Sequence, residues 1–227
     1  MGHPVGNPAF EDLTARARIR DAAIGLFAER GIDGTTVRDI AQAAGVSPGL
    51  LRHHFGSKEA LREACDLYVL DRMVKIKEEL LLEGKMASPG FLSSVHPTIL
   101  LFYRYVTRAL LDGSPRAAAM FDDMVILTEQ WISKNTPDVT ADYRAYAAVL
   151  VGMQSGLLAM HAHVSRALGV DIFTADGHLR MAGALADFYS HPLLDPEFVA
   201  EARGAMAALR ANNPPTDAGT DPEVEGA

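Results

Sequence analysis

The 227-residue chain contains a single cysteine, Cys65. One cysteine excludes a disulfide within the chain, and the N-terminus lacks the basic segment followed by an apolar run that is typical of a secretory signal. We therefore expect a cytoplasmic protein. Cys65 itself is expected to be a small buried side chain, with a redox-sensing thiol as the alternative.

Motifs of the common enzyme classes are missing as well. The sequence has no G-x-S-x-G turn, no Walker A loop, no H-E-x-x-H pair and no cysteine cluster. His161 and His163 are two residues apart, so on a helix they point in nearly opposite directions and cannot share a metal ion. We expect neither an enzyme nor a bound cofactor or metal. After residue 57 no stretch alternates between polar and apolar residues for long enough to predict a sheet, which indicates an all-α fold.

The most informative segment of the chain is residues 45–61. Ser47 can accept hydrogen bonds from the amides of a first helical turn, and Pro48 suits the N1 position, so a helix is predicted to begin there. Leu51 and Phe55 lie four residues apart and can pack inward. The outer face of this helix is left to small and hydrogen-bonding residues: Gly49, Leu50, Arg52, His53 and His54.

The segments around this helix complete a recognisable unit. Apolar spacing over residues 14–31 predicts a first helix with one buried face. Thr36 is expected to cap a short second helix, which ends in a turn at Gly45. After Gly56, Ser57 is expected to cap the next long helix. Two short helices joined by a glycine turn form a helix-turn-helix, whose second helix enters the major groove of DNA.

Residues 14–62 resemble the DNA-binding domain of the TetR (tetracycline repressor) family. The matching positions are Phe27, Gly31, Thr36, Ile40, Ala41, Gly45, Val46, Ser47, Gly49, His54, Phe55, Lys58, Glu59, Ala60 and Leu61. One departure is Arg52, where the family commonly has a tyrosine that meets a phosphate. A guanidinium can bind a phosphate bidentately, but it can also fork onto guanine.

The resemblance implies duplex DNA with a palindromic operator as the partner, bound by a homodimer. It implies that phosphates are met by Thr36, Arg52, His54 and Lys58, and that Pro48, Gly49, Leu50 and His53 lie nearest the bases, with Ser47 at the start of the same helix. Charge agrees with this interpretation. Residues 14–62 hold eight Lys or Arg against five Asp or Glu, a net +3 that leaves −11 for the rest of a chain of net charge −8.

Three regions are expected: an N-terminal arm with the helix-turn-helix domain at 1–60, a helical effector-binding and dimerisation domain at 61–211, and a disordered acidic tail at 212–227. Helices of the middle region are predicted to begin at the following points: Ser57, the His96-Pro97 pair, Ser114, Thr140, Thr174 and Pro196.

The helix predicted from Thr140 to Gly169 contains no charged residue over 145–164. Its length would suit a membrane span, but the polar interruptions and missing basic flanks favour burial between protein helices. A stripe of small residues allows close helix approach: Gly152, Ser155, Gly156 and Ala159. A helix that is apolar on most sides belongs to a core or to a subunit interface. The resemblance to the TetR family implies that two C-terminal helices form the dimer interface, and residues 140–168 and 176–192 are the candidates, with the core of the monomer as the alternative.

Aromatic and methionine side chains of the body are candidates to line a pocket for a small, largely apolar effector. By helical spacing alone the same side chains are typical of the core, which is the alternative. The candidates are Phe102, Met120, Met124, Trp131, Tyr146 and Met153. The sequence thus predicts a DNA-binding transcriptional regulator, a ligand-released repressor in the first instance. A regulator that activates, or one without an effector, is the alternative.

Overall fold

The computed structural model describes residues 8–85, 89–191 and 193–212, and within these ranges the chain forms ten α-helices and no strand. In chain order they are α1 (Pro8–Arg30), α2 (Val37–Ala44), α3 (Pro48–Phe55), α4 (Lys58–Leu81), α5 (Pro89–Leu110), α6 (Pro115–Asn135), α7 (Tyr143–Ala159), α8 (His161–Leu168), α9 (Ala175–Ser190) and α10 (Pro196–Asn212). The predicted all-α fold, with a helix-turn-helix followed by a helical body, is confirmed.

The predicted caps at four helix starts are present, because each depends on residues within one turn. The side chains of Thr36, Ser47, Ser57 and Ser114 accept hydrogen bonds from backbone amides of the turns that they begin. Pro48 and Pro115 occupy the first turns of their helices. Local chemistry alone therefore fixes the starts of α2, α3, α4 and α6.

Three predicted boundaries are wrong. α1 begins at Pro8 instead of residue 14. α5 begins at Pro89 and passes through Pro97, which was expected to start it. The Pro97 ring is exposed, so the helix loses one backbone hydrogen bond without a clash inside the core.

The third correction concerns the long helix predicted over residues 140–169. It is divided at Met160 into α7 and α8, which meet at a bend of 71°. The Ser155-Gly156 pair comes one turn before the break, and such pairs are frequent kink sites. After the bend, Ser165 Oγ accepts a hydrogen bond from the Ile172 amide, so α8 packs on the segment that leads to α9.

The chain divides into two compact units, Met1–Arg180 and Met181–Ala227. In the first, α1 to α6 share a core in which Phe27, Leu51, Leu61 and Tyr105 are almost fully buried. α6 and α7 share a smaller cluster around Val151. In the second unit, α10 shows its apolar side chains to solvent.

The expected tail at 212–227 lies outside the described residues except for Asn212, the last residue of α10. No single helix of the described ranges is long and apolar enough to cross a membrane, and α7 with α8 meets the length and composition criteria only as a bent pair. Cys65 is completely buried, as predicted, and burial raises the pKa of its thiol.

Candidate nucleic-acid interface

α2 begins with a reciprocal cap between Thr36 and Asp39. Thr36 Oγ1 accepts a hydrogen bond from the Asp39 amide at 3.2 Å, and the Asp39 carboxylate accepts from the Thr36 amide at 2.9 Å and from the Thr36 hydroxyl at 2.6 Å. The hydrogen bonds from Thr36 lower the pKa of Asp39. This carboxylate is therefore committed to the cap, and its charge is held at the helix N-terminus.

The turn between α2 and α3 sets the angle of the second helix. Gly45 adopts a left-handed conformation with φ 65°, and the Val46 amide donates to the Ala41 carbonyl at 2.9 Å. Two residues later, Ser47 Oγ accepts from the Leu50 amide at 3.1 Å. The Val46 hydrogen bond to α2 and the Ser47 cap on α3 thus fix the position at which α3 begins.

α3 divides into the two faces that its sequence predicts. Leu51 and Phe55 are buried against the core. Pro48, Gly49, Arg52 and His53 are exposed, while Leu50 and His54 are partly exposed. The first turn of α3 therefore presents an uncovered surface with little side-chain bulk, which a DNA groove can approach closely.

Arg16 of α1 fixes the other end of α3, a role that the sequence analysis missed. Its Nη1 donates to the His54 carbonyl at 3.1 Å, and its guanidinium lies 4.7 Å from the centre of the Phe55 ring. The sequence shows three arginines, at positions 16, 18 and 20, but only the fold shows which of them contacts α3. Arg20 instead pairs with Asp21 and stacks on Tyr68.

Three basic side chains lie on α3 and on the first turns of the helices before and after it. Arg38 stands in the first turn of α2, Arg52 on α3 and Lys58 in the first turn of α4. Within the described residues none of the three makes an ion pair or a side-chain hydrogen bond. Arg38 was not among the predicted site residues, although its place one turn after the Thr36 cap is readable from the sequence. Arg38 and Lys58 add positive charge to helix N-termini, where anions are favoured, and Arg52 lies in the last turn of α3.

α4 connects this surface to the body through a buried carboxylate, Asp66, which is 0 % exposed. The Tyr105 hydroxyl donates to Asp66 Oδ1 at 2.6 Å, and Arg116 Nε donates to Oδ2 at 2.8 Å. Burial raises the pKa of Tyr105, and the neighbouring carboxylate adds to this effect. Asp66 therefore joins α4 to both α5 and α6.

Arg62, one turn earlier on α4, contacts the loop between α5 and α6. Its Nη2 lies 2.7 Å from Asp112 Oδ2, and its Nη1 donates to Ser114 Oγ at 3.1 Å. Ser114 is also the cap of α6. Arg62 therefore links α4 to this loop and to the start of α6.

The six predicted ligand residues do not lie in one place. Phe102 and Met120 are buried in the main core, at 3 % and 0 % exposure. Met124 and Trp131 are partly buried on α6. Tyr146 and Met153 are 39 % and 47 % exposed on α7.

A groove of about 450 Å³ lies elsewhere on the body, and none of the six lines it. It is formed by the C-terminal end of α5, the start of α6 and the small-residue side of α7, and its lining includes Leu110, Ala117, Phe121, Ser155, Gly156 and Ala159. The small residues of α7 therefore face a space within the same chain. Which residues meet an effector stays a prediction.

Residues 19–65 match the family described as bacterial regulatory proteins, tetR family. Over 206 residues the chain is 32 % identical to the HTH-type transcriptional regulatory protein RaaS of Mycobacterium tuberculosis. The matched segment covers 86 % of this chain and 89 % of that protein. It is 36 % identical over 110 residues to the HTH-type transcriptional repressor KstR2 of Rhodococcus jostii, about half of each chain.

Among solved structures, a TetR-family transcriptional regulator from a Rhodococcus species has the same fold. It superposes with a TM-score of 0.53 over 65 % of this chain and 87 % of that one, at 24 % identity. The match to RaaS extends through the body as well as the helix-turn-helix domain. The chain therefore belongs to the TetR family of bacterial regulatory proteins and is a DNA-binding transcriptional regulator.

Proposed function

We propose that this regulator is a ligand-released repressor that binds an inverted-repeat operator as a homodimer. The observation that carries the proposal is the uncovered first turn of α3, fixed by the Ser47 cap, on a helix that also carries the unpaired Arg52. One such helix reads too few base pairs for useful affinity, so two copies are needed. Half-sites then lie about one helical turn, or a multiple of one, apart.

The contacts divide into two groups. Arg52 and Lys58, with Thr36 and His54, meet phosphates, and we now add Arg38 to this group because it is exposed and unpaired beside the same face. Base edges are met by the outer face of α3: Pro48, Gly49 and Leu50 in its first turn and His53 in its last, with the Ser47 hydroxyl beside the first turn.

Dimerisation is proposed through α7, α8 and α9. Tyr146, Val149, Met153 and Met160 are spaced by three, four and seven residues and are all at least 39 % exposed, so α7 shows an apolar face to solvent. A second copy would cover it by the self-complementary packing that a two-fold axis requires. On α9, Phe188 and Tyr189 are likewise exposed.

Release by a ligand follows from the position of α4. The helix begins at Lys58, directly after the Ser57 cap, and its second and third turns carry Arg62 and Asp66. A ligand that favours one packing of α5 and α6 therefore changes the position of α4 and the distance between the two recognition helices. Linkage is reciprocal, so such a ligand binds less tightly to the DNA-bound dimer, with a coupling of about 1–3 kcal/mol.

Selection of bound sequences from random duplex DNA tests the proposal. We expect enrichment of an inverted repeat whose half-sites have the spacing given above. Purified dimer should then bind the selected duplex far more tightly than a scrambled one at the same salt concentration. Enrichment without two-fold symmetry, or no enrichment, would contradict the homodimer on an inverted repeat.

A further inference from the structure

One lysine on α4 has a charge that no neighbouring group balances. Lys77 is half-buried, and its Nζ lies 4.2 Å from the centre of the Trp131 ring on α6. Within the described residues it makes no ion pair or hydrogen bond. Lys75, two residues earlier, is exposed and pairs with Asp71 at 2.7 Å. Burial lowers the pKa of Lys77, and no carboxylate offsets that effect.

The indole that faces this ammonium is also unsatisfied. Trp131 Nε1 is buried and has no hydrogen-bond acceptor among the described residues. Buried Trp N–H groups ordinarily find a partner, because leaving the donor unpaired forfeits its hydration. The ring face attracts the ammonium but does not neutralise its charge. Among the described residues neither the ammonium nor the indole N–H has a hydrogen-bond acceptor.

Apolar side chains continue from this pair along both helices. Met73 and Leu80 lie four residues before and three after Lys77, on the same face of α4. On α6, Met124 and Leu127 precede Trp131 by seven and four residues. All four are only partly buried and pack against the edge of the main core. Methionine walls adapt readily to an apolar guest.

We propose that Lys77 and Trp131 hold the carboxylate of an elongated apolar acid, such as an alkanoate, whose chain lies against the Met73–Leu80 and Met124–Leu127 faces of α4 and α6. A carboxylate supplies acceptors to both donors and balances the lysine charge, which a neutral apolar molecule cannot do. Binding of the acid involves the helical body alone. Only its role as the effector rests on the proposed function.

The test uses Trp131 as its own reporter, because it is the single tryptophan of the chain. The full-length protein, without DNA, is titrated with octanoate, decanoate and dodecanoate below their micelle concentrations, each beside the n-alcohol of equal chain length. We expect saturable changes in tryptophan fluorescence, with at least one acid binding tenfold or more tightly than its alcohol. Equal affinities, or no saturable change with any acid, would overturn the proposal.

Two variants separate a head-group contact from general apolar binding. Lys77→Met keeps an unbranched side chain one atom shorter and removes its charge. The acid and the alcohol should then bind with about equal affinity, and the affinity for the alcohol should be retained. Lys75→Met makes the same change on an exposed ion pair and should keep the full preference. Retained preference in Lys77→Met, or its loss in both variants, would refute the assignment of Lys77.

Calorimetry with Trp131→Phe tests the second donor. Removing the N–H while keeping an aromatic ring should weaken the binding of the acid at least threefold, and unchanged affinity would show that Trp131 takes no part. None of these titrations contains DNA, so failure of the inverted-repeat selection and failure of the acid site are distinguishable. Operator affinity with and without the bound acid then tests the regulatory role, and an unchanged affinity would show that the acid is not the effector.

Discussion

Replacing Asp66 by alanine removes the carboxylate that joins α4 to α5 and α6. The side chain is 0 % exposed, and it accepts from Tyr105 at 2.6 Å and from Arg116 at 2.8 Å. Breaking a buried charge pair by removing one partner costs about 3–5 kcal/mol. Arg116 is 27 % exposed and keeps Glu63 at 3.5 Å, so it stays partly solvated and paired. We therefore expect a loss near the lower end, about 3 kcal/mol.

The assay is urea unfolding followed by circular dichroism at one fixed protein concentration, because dimer stability depends on concentration. Asp71→Ala is the matched control: the same substitution, five residues along α4, on an exposed ion pair with Lys75. Exposed pairs contribute about 0–1 kcal/mol, so this variant should unfold close to the parent. If Asp66→Ala lost no more stability than Asp71→Ala, the buried network would not be a stabilising element.

Three further predictions concern the interface and the core. Thr36→Ala should cost about 1 kcal/mol in unfolding experiments through loss of the α2 cap, and NMR titration should show the pKa of Asp39 rising toward its ordinary 3.8. The folded-state pKa of Asp39 is lowered, so in the parent its stabilisation is present above that ordinary value and is lost as the pH falls through the folded value. Cys65 should react with a thiol reagent only as fast as the protein opens, and prompt stoichiometric labelling of the native protein would contradict its burial. Lys58→Ala should weaken binding to all DNA sequences and reduce the slope of log affinity against log salt concentration by about one unit. His53→Ala should instead relax the base preference at one position of each half-site. If His53→Ala weakened binding to all sequences equally, His53 would not read a base.

The parts that the sequence predicts well are those in which cause and effect lie within one helical turn. Thr36, Ser47 and Ser114 each cap a helix through an amide three residues later, so a short segment contains the whole interaction. The burial of Leu51 and Phe55 follows from helical spacing in the same way. Together these features fix the orientation of the recognition helix and define most of the candidate interface.

The parts that the sequence could not predict depend on residues far apart in the chain. Arg16 meets His54 across 38 positions, and Asp66 meets Tyr105 across 39. The sequence shows two aromatic residues at positions 102 and 146, but only the packing of the helices determines that Phe102 is buried and that 39 % of Tyr146 is exposed.

The positions along α4 explain why a ligand at Lys77 is suited to control DNA binding. Lys77 lies eleven residues beyond Asp66, which is about 16 Å along the helix, and Ser57 lies nine residues before it, about 14 Å. With Asp66 held by α5 and α6, a rotation of α4 by about 5° about this point moves Ser57 by about 1.2 Å. In the proposed two-fold dimer both recognition helices would move by this amount, and base contacts depend on separations of that order. The coupling therefore requires a rigid pivot, so Asp66→Ala should reduce the effect of the ligand on operator affinity as well as the stability. A variant that lost stability but kept the full ligand effect would show that the signal travels by another path.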